Sequence, residues 1–239
     1  MGDERASNGR ESLIISATDA WRAAHPEGRI GLLEVGDIVN DRPSVALEER
    51  KRQIEEELRA RYAGFARADF LALPLLVAYS AYYKRFSKTY HVQLQLESLV
   101  LKGKQLPAVS PAVDANFMAE LESLVLTAGH DVGRLRPPIV IDVSSPGDVM
   151  VQMSGTQKEI RPGDMIMRDA DGIACSIIYG QDARSPISTA SSRVLYVVYA
   201  PAGVARDAID DQLDRIIAYV RLATPAAVVL QRGVLSAGM

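Results

Sequence analysis

The sequence predicts an α+β fold, with a helical N-terminal part packed on a mostly antiparallel sheet. Three observations predict it. Apolar stripes of helical period dominate residues 44–127, and β-branched runs punctuated by Gly and Asp turns dominate 137–199. The two classes are also segregated along the chain, whereas a doubly wound sheet would alternate them.

Residues 13–16 read as a short first strand, followed by a short helix around Trp21. The run RIGLLEVGDIV, 29–39, reads as a second strand, closed by the turn Asn40-Asp41-Arg42-Pro43. Ser44 is placed as the N-cap of a helix reaching Tyr62, with Leu47, Ile54, Leu58 and Tyr62 on one face. Glu48–Arg52, Glu55–Arg59 and Glu57–Arg61 fall at i,i+4 and predict a solvated charged face. Two more helices are expected over 69–85 and 91–102, the second with Leu94, Leu99 and Leu101 apolar. After Pro111 a helix over 115–127 is expected, with Phe117, Leu121, Leu124 and Val125 as its inner stripe.

Strands are expected at 139–143, 149–153, 165–167, 173–179 and 194–199. The turns between them are Pro146-Gly147-Asp148, Pro162-Gly163-Asp164 and 169–172. An amphipathic helix over 204–222 shows Ile209, Leu213, Ile216 and Val220 on one face, and 226–230 adds a closing strand. The resulting organisation is a disordered tail over 1–11, a single domain over 12–230 and a C-terminal tail over 231–239.

The 239 residues are 48% hydrophobic and 24% charged, the balance of a soluble globular chain. A net charge of −3 gives no global pull toward nucleic acid, so RNA contact must rest on a local patch. The one cysteine, Cys175, excludes an internal disulfide framework, and its neighbours Ile173, Ala174, Ile177 and Ile178 predict a buried thiol. The opening MGDERASNGRES holds no apolar signal sequence, and the apolar window 70–83 is too short to span a bilayer. A cytoplasmic setting with no membrane partner is expected. His25, His91 and His130 stand at no metal-ligand spacing, so neither a metal nor a cofactor is expected. No phosphate-binding, dinucleotide-binding or nucleophile-elbow motif is present.

Four features carry candidate chemistry. Lys84, Arg85, Lys88, Lys102 and Lys104 face a single Glu97, with Tyr82, Tyr83 and Tyr90 interleaved. Such a patch can track a phosphate backbone or stack an unpaired base, or it can be a solvated face that offsets the acidic helix. Ser110, Asp114 and Asn116 can orient a polar ligand or a water; turn and cap chemistry is the structural alternative. His130-Asp131 can act as an acid–base pair at a site edge, or cap a turn. The loop 179–184, with Gly180 and Asp182, suits a pocket lip, since glycine admits a ligand close to the backbone.

In order, RIGLLEVGDIV, YYKRFSKTYHVQLQLESLVLKGKQLPAVSPAVDAN, GHDVGRL, IRPGDMIMRDADGIACSIIYGQDARSPIST and VLYVVYAPAG resemble the B3/B4 domain of the bacterial phenylalanyl-tRNA synthetase beta chain, in freestanding form. The resemblance spans roughly 29–202. It implies a Greek-key, barrel-like sheet and an aminoacylated tRNA, or a free amino acid, as partner. It further implies editing, the hydrolysis of tyrosine wrongly attached to phenylalanine tRNA, performed here in trans. Val113-Asp114 with Asn116 matches the family's Val-Asp-x-x-Asn element one residue short, and Gly129-His130-Asp131 matches its turn before the central strand. Gly163-Asp164 stands where the family has Gly-Glu, and Gly180 falls at the strand end bordering the editing pocket. The family's pocket glutamate has no counterpart in Val194-Leu195-Tyr196-Val197-Val198-Tyr199. Asp114, Asn116 and His130 are therefore the catalytic candidates. Ser110, Asp131, Gly180 and Asp182 are the substrate-binding candidates, and the five basic residues of 84–104 are the RNA-binding ones. The alternative function is a non-catalytic amino-acid or small-molecule binding module.

Overall fold

The computed structural model describes residues 12–238, so the expected tail over 1–11 lies outside the described residues. Two open sheets form the frame. A four-stranded antiparallel sheet runs β11(Val228–Ser236)-β2(Arg29–Gly36)-β10(Val194–Ala200)-β3(Thr127–Asp131). A five-stranded sheet runs β1(Ile15–Ala17)-β4(Ile139–Val143)-β7(Met165–Asp169)-β8(Gly172–Ser176)-β9(Gly180–Gln181), with only β1–β4 parallel. A separate hairpin pairs β5(Val149–Val151) with β6(Gln157–Glu159). The fold is α+β with mixed and antiparallel sheets, and the described strands close no barrel.

β10 is buried along its whole length and β2 nearly so, which is why both read as continuous apolar runs instead of alternating ones. Glu34 interrupts β2 yet is fully buried, because Arg193 pairs with it and the Leu13 amide donates to Oε2 at 2.9 Å. α7(Arg206–Ala223) lies on this sheet through Ile209, Leu213 and Ile216, all fully buried. Its approach is close: a Cβ on Gly31 would stand 2.5 Å from Ile209 Cγ2.

α1(Asp19–Ala24) is capped by Thr18, whose hydroxyl accepts from the Trp21 amide and donates to Asp142 on β4. In α2(Val45–Arg61), Ser44 accepts from the Leu47 amide, and Leu47, Ile54, Leu58 and Tyr62 are buried as their spacing predicts. The charged face is only partly solvated. Glu55–Arg59 forms, but Arg50 takes Glu57, and Lys51 and Glu55 are buried against the 104–114 segment.

Other boundaries differ from their sequence periods for local reasons. The helix expected over 69–85 is two, α3(Arg67–Leu71) and α4(Pro74–Lys84), broken where Pro74 has no N–H to give and opens the second. α5(His91–Lys102) buries Val92, Leu96 and Leu99 and leaves Leu94 and Leu101 exposed. The helix expected over 115–127 is α6(Pro111–Ser123), begun by Pro111 and ended by Leu124 at φ 63°. Gly129-His130-Asp131 is not a turn but part of strand β3. The segment expected as a tail from 231 instead continues β11 to Ser236, paired with β2.

Candidate functional site

Between the two sheets and beneath α6 lies a cavity of about 410 Å³. α6 contributes Val113, Asn116, Phe117 and Glu120, an i, i+3, i+4, i+7 stripe that brings two polar residues onto a buried helix face. β3 and β10 supply Thr127, Gly129 and Tyr199 from one sheet; β8 and β9 supply Cys175, Gly180 and Gln181 from the other.

Glu120 is the chemical centre of this cavity. The residue is 2% exposed, and Oε1 accepts from the Thr127 amide at 2.6 Å. Oε2 has no hydrogen bond among the described residues. Burial pushes the carboxyl up to about 8, against a smaller downward pull from the Thr127 N–H. At neutral pH it is largely protonated, and a cation at Oε2 would ionise it. Beside it, Asn116 Nδ2 donates to Thr127 O at 3.1 Å, and its Oδ1 has no partner. Burial pushes the Cys175 thiol up to about 12, so it is not a thiolate nucleophile. At the lip, Gly180 at φ 82° has no atom within 4 Å of where a Cβ would sit, leaving an open approach.

The predicted residues are divided. Asn116 and Gly180 line the cavity. Ser110 and Asp114 line a separate cleft of about 390 Å³ at the N-termini of α2 and α6. There Asp114 Oδ2 meets Lys51 Nζ at 2.5 Å, and Oδ1 accepts from the Val109 amide. His130, Asp131 and Asp182 line neither space. Asp131 holds Ser191 and the Gly133 amide.

His130 is fully buried, and burial drives it down to about 3. The two hydrogens of Gln181 Nε2 go to the carbonyls of Gly129 and Ser185. His130 Nδ1 is then assigned the proton it gives to Ser185 Oγ at 2.8 Å, and Ser185 in turn donates to Asp182 at 2.6 Å. The serine stands between histidine and aspartate. Nucleophile activation requires the histidine between the other two, so this order does not activate Ser185.

Lys84, Arg85, Lys88, Lys102 and Lys104 are all exposed, while Tyr82, Tyr83 and Tyr90 are core residues with no ring face in solvent. Tyr79 and Tyr90 stack on each other at 4.3 Å. The basic residues separate as well: α5, on the order of 18 Å long by its rise, stands between 84–88 and 102–104. A different aromatic joins the first group. The half-buried Tyr179 ring, next to Gly180, has Lys158 Nζ at 5.2 Å and Lys88 Nζ at 6.0 Å from its centroid.

Sequence reasoning missed Glu120 and Lys158. Glu120 carried a signal, its place three and four residues after Phe117 and Asn116, but a helix start set at 115 hid the stripe. Among the described residues no group of three or more His, Cys, Asp or Glu is arranged to hold a metal, and no helix is long and apolar enough to cross a membrane.

No protein-family model matches the chain, and no curated protein matches it by sequence. Among solved structures it is similar to an N-terminal fragment of the phenylalanyl-tRNA synthetase beta-subunit from Pyrococcus horikoshii. The identity is 7% and the TM-score 0.45, over 92% of this chain and 55% of that one. The chain thus spans about half the length of that fragment, and a likeness this weak carries no statement about function.

Proposed function

We propose that this chain is a small-molecule binding module whose ligand, of amino-acid size and carrying an ammonium group, occupies the cavity beneath α6. One observation carries the reading: Glu120 presents an unbonded carboxyl oxygen inside a mainly apolar space of about 410 Å³. Such a volume suits a small ligand, and a buried acid without a counter-charge favours a cationic group beside it. A cytoplasmic, reduced setting belongs to this reading, supported by a buried thiol that has no second cysteine to pair with.

The test is a calorimetric titration with free amino acids, their N-acetyl forms and simple amines. Amines should bind, N-acetylated forms should not, and Glu120→Gln should abolish the difference. Equal affinity for the acetylated and free forms would remove the proposal.

A second reading, hydrolysis of mischarged aminoacyl-tRNA in trans, is favoured by the Lys88–Tyr179–Lys158 group beside the cavity lip. Lysines and a partly exposed ring are the elements that hold a single-stranded RNA end. Its test is deacylation of tyrosyl-tRNA specific for phenylalanine, with tRNA binding followed across salt. Salt-dependent binding with release of tyrosine supports it; neither effect leaves the binding-module reading alone.

A further inference from the structure

A smaller cleft of about 250 Å³ lies between the end of α1, the C-terminal half of α4 and the loop after β10. Its walls are mostly small: Ala24, Ala78, Ala81 and Ala202 leave the floor open. Two residues in it have unmet capacity. The Arg85 guanidinium sits over the buried rings of Tyr82 and Phe86, at 5.2 and 5.5 Å from their centroids. Its polar contact is a long one, Nη2 to Gly163 O at 3.5 Å, and no carboxylate among the described residues pairs with it. A cation fixed in place without a counter-ion is prepared for an anion. The second residue is His25, 7% exposed, tilted against Tyr82, with Nε2 lacking any hydrogen-bond partner.

We propose that this cleft is a second binding site, for a small oxyanion of carboxylate or phosphate type, with Arg85 as its cation and the His25 ring as a hydrogen-bonding wall. The cleft is separate from the ammonium-binding cavity, and Lys88, Tyr179 and Lys158 do not line it. Burial, with a smaller contribution from Arg85, drives His25 down to about 4, so the ring is neutral and does not repel the guanidinium. Among the described residues Glu27 is the one acidic residue on the lining; it is exposed, where solvent screens it. An anion bridging Arg85 and His25 would supply a counter-charge to the first and the missing partner to the second.

The test follows the His25 ring resonances by NMR while inorganic phosphate, and separately acetate, is added at constant ionic strength. At least one anion should give a saturable shift and raise the His25 titration midpoint, and which one does so identifies the headgroup. Arg85→Gln should weaken that affinity about tenfold or more. Arg85→Lys, which keeps the charge and loses the fork, should weaken it less. Lys84→Gln and Glu120→Gln should leave it unchanged. A shift that does not saturate, one that survives Arg85→Gln, or one lost equally in Lys84→Gln overturns the site. Because Arg85 is exposed, the variants keep the fold, which a far-UV spectrum verifies.

Discussion

Lys51 and Asp114 form a buried ion pair, Nζ to Oδ2 at 2.5 Å, that ties α2 to the first turn of α6. Burial alone would lower the Lys51 ammonium, but its bonds to Asp114 and Glu48 outweigh this and hold it above its ordinary value. Removing Asp114 leaves the buried ammonium with only the half-exposed Glu48 and the Pro107 carbonyl. Asp114→Ala should therefore cost about 3–5 kcal/mol in urea unfolding, while the double replacement Lys51→Met/Asp114→Leu should recover most of it. Equal losses in the single and double variants would show that the pair contributes nothing specific.

Glu120 makes stability fall as pH rises. Its folded value, about 8, lies above the unfolded one, so the folded chain holds more protons between roughly pH 4.5 and 8. The Glu120→Gln variant, which does not titrate, should gain on the native protein by on the order of 4 kcal/mol between pH 5 and pH 9. Denaturant midpoints at the two pH values provide the comparison, and a pH-independent difference would contradict the burial of a titrating carboxyl.

The histidines act in the opposite sense. His130 near 3 and His25 near 4 both lie below their unfolded value, so the unfolded chain takes up more protons as pH falls below about 6.5. Stability should decline from pH 6.5 toward 4, and His25→Gln should reduce that slope. An unchanged slope would mean that the ring is protonated without cost.

Gly31→Ala should destabilise by about 2 kcal/mol, because the added methyl meets Ile209 at 2.5 Å and Val198 at 3.0 Å. Ile209→Ala in the same chain should return part of this loss, and thermal unfolding of the three variants measures it.

If RNA binds at the cavity lip, Lys88→Glu and Lys158→Glu should weaken it and reduce its salt dependence by roughly one counterion each. Lys102→Glu and Lys104→Glu, at the far end of α5, should have little effect on filter-binding affinity. The reverse pattern would relocate the RNA surface.

Where burial follows a regular period, the sequence was legible. α2 and α7 appear where Leu47-Ile54-Leu58 and Ile209-Leu213-Ile216 place them, and the apolar run of β10 marks its strand. Sheet pairing was not legible, since the partners of β1 and β11 lie far away in sequence and are chosen by tertiary contact. The site was half legible for a similar reason. Asn116 and Gly180 carry local signals, whereas the free state of Glu120 Oε2 depends on the cavity around it. Tyr82, Tyr83 and Tyr90 look like an aromatic patch on paper because helix period alone does not say which face meets another layer.

The cavity beneath α6 is lined from segments as far apart as His91 and Tyr199, none of which encloses it alone. Its existence is thus a property of the finished chain, and no excised half of the molecule retains it. A ligand bound there would brace the whole fold at once, slowing amide exchange on both sheets together and rewarding only molecules that have completed folding.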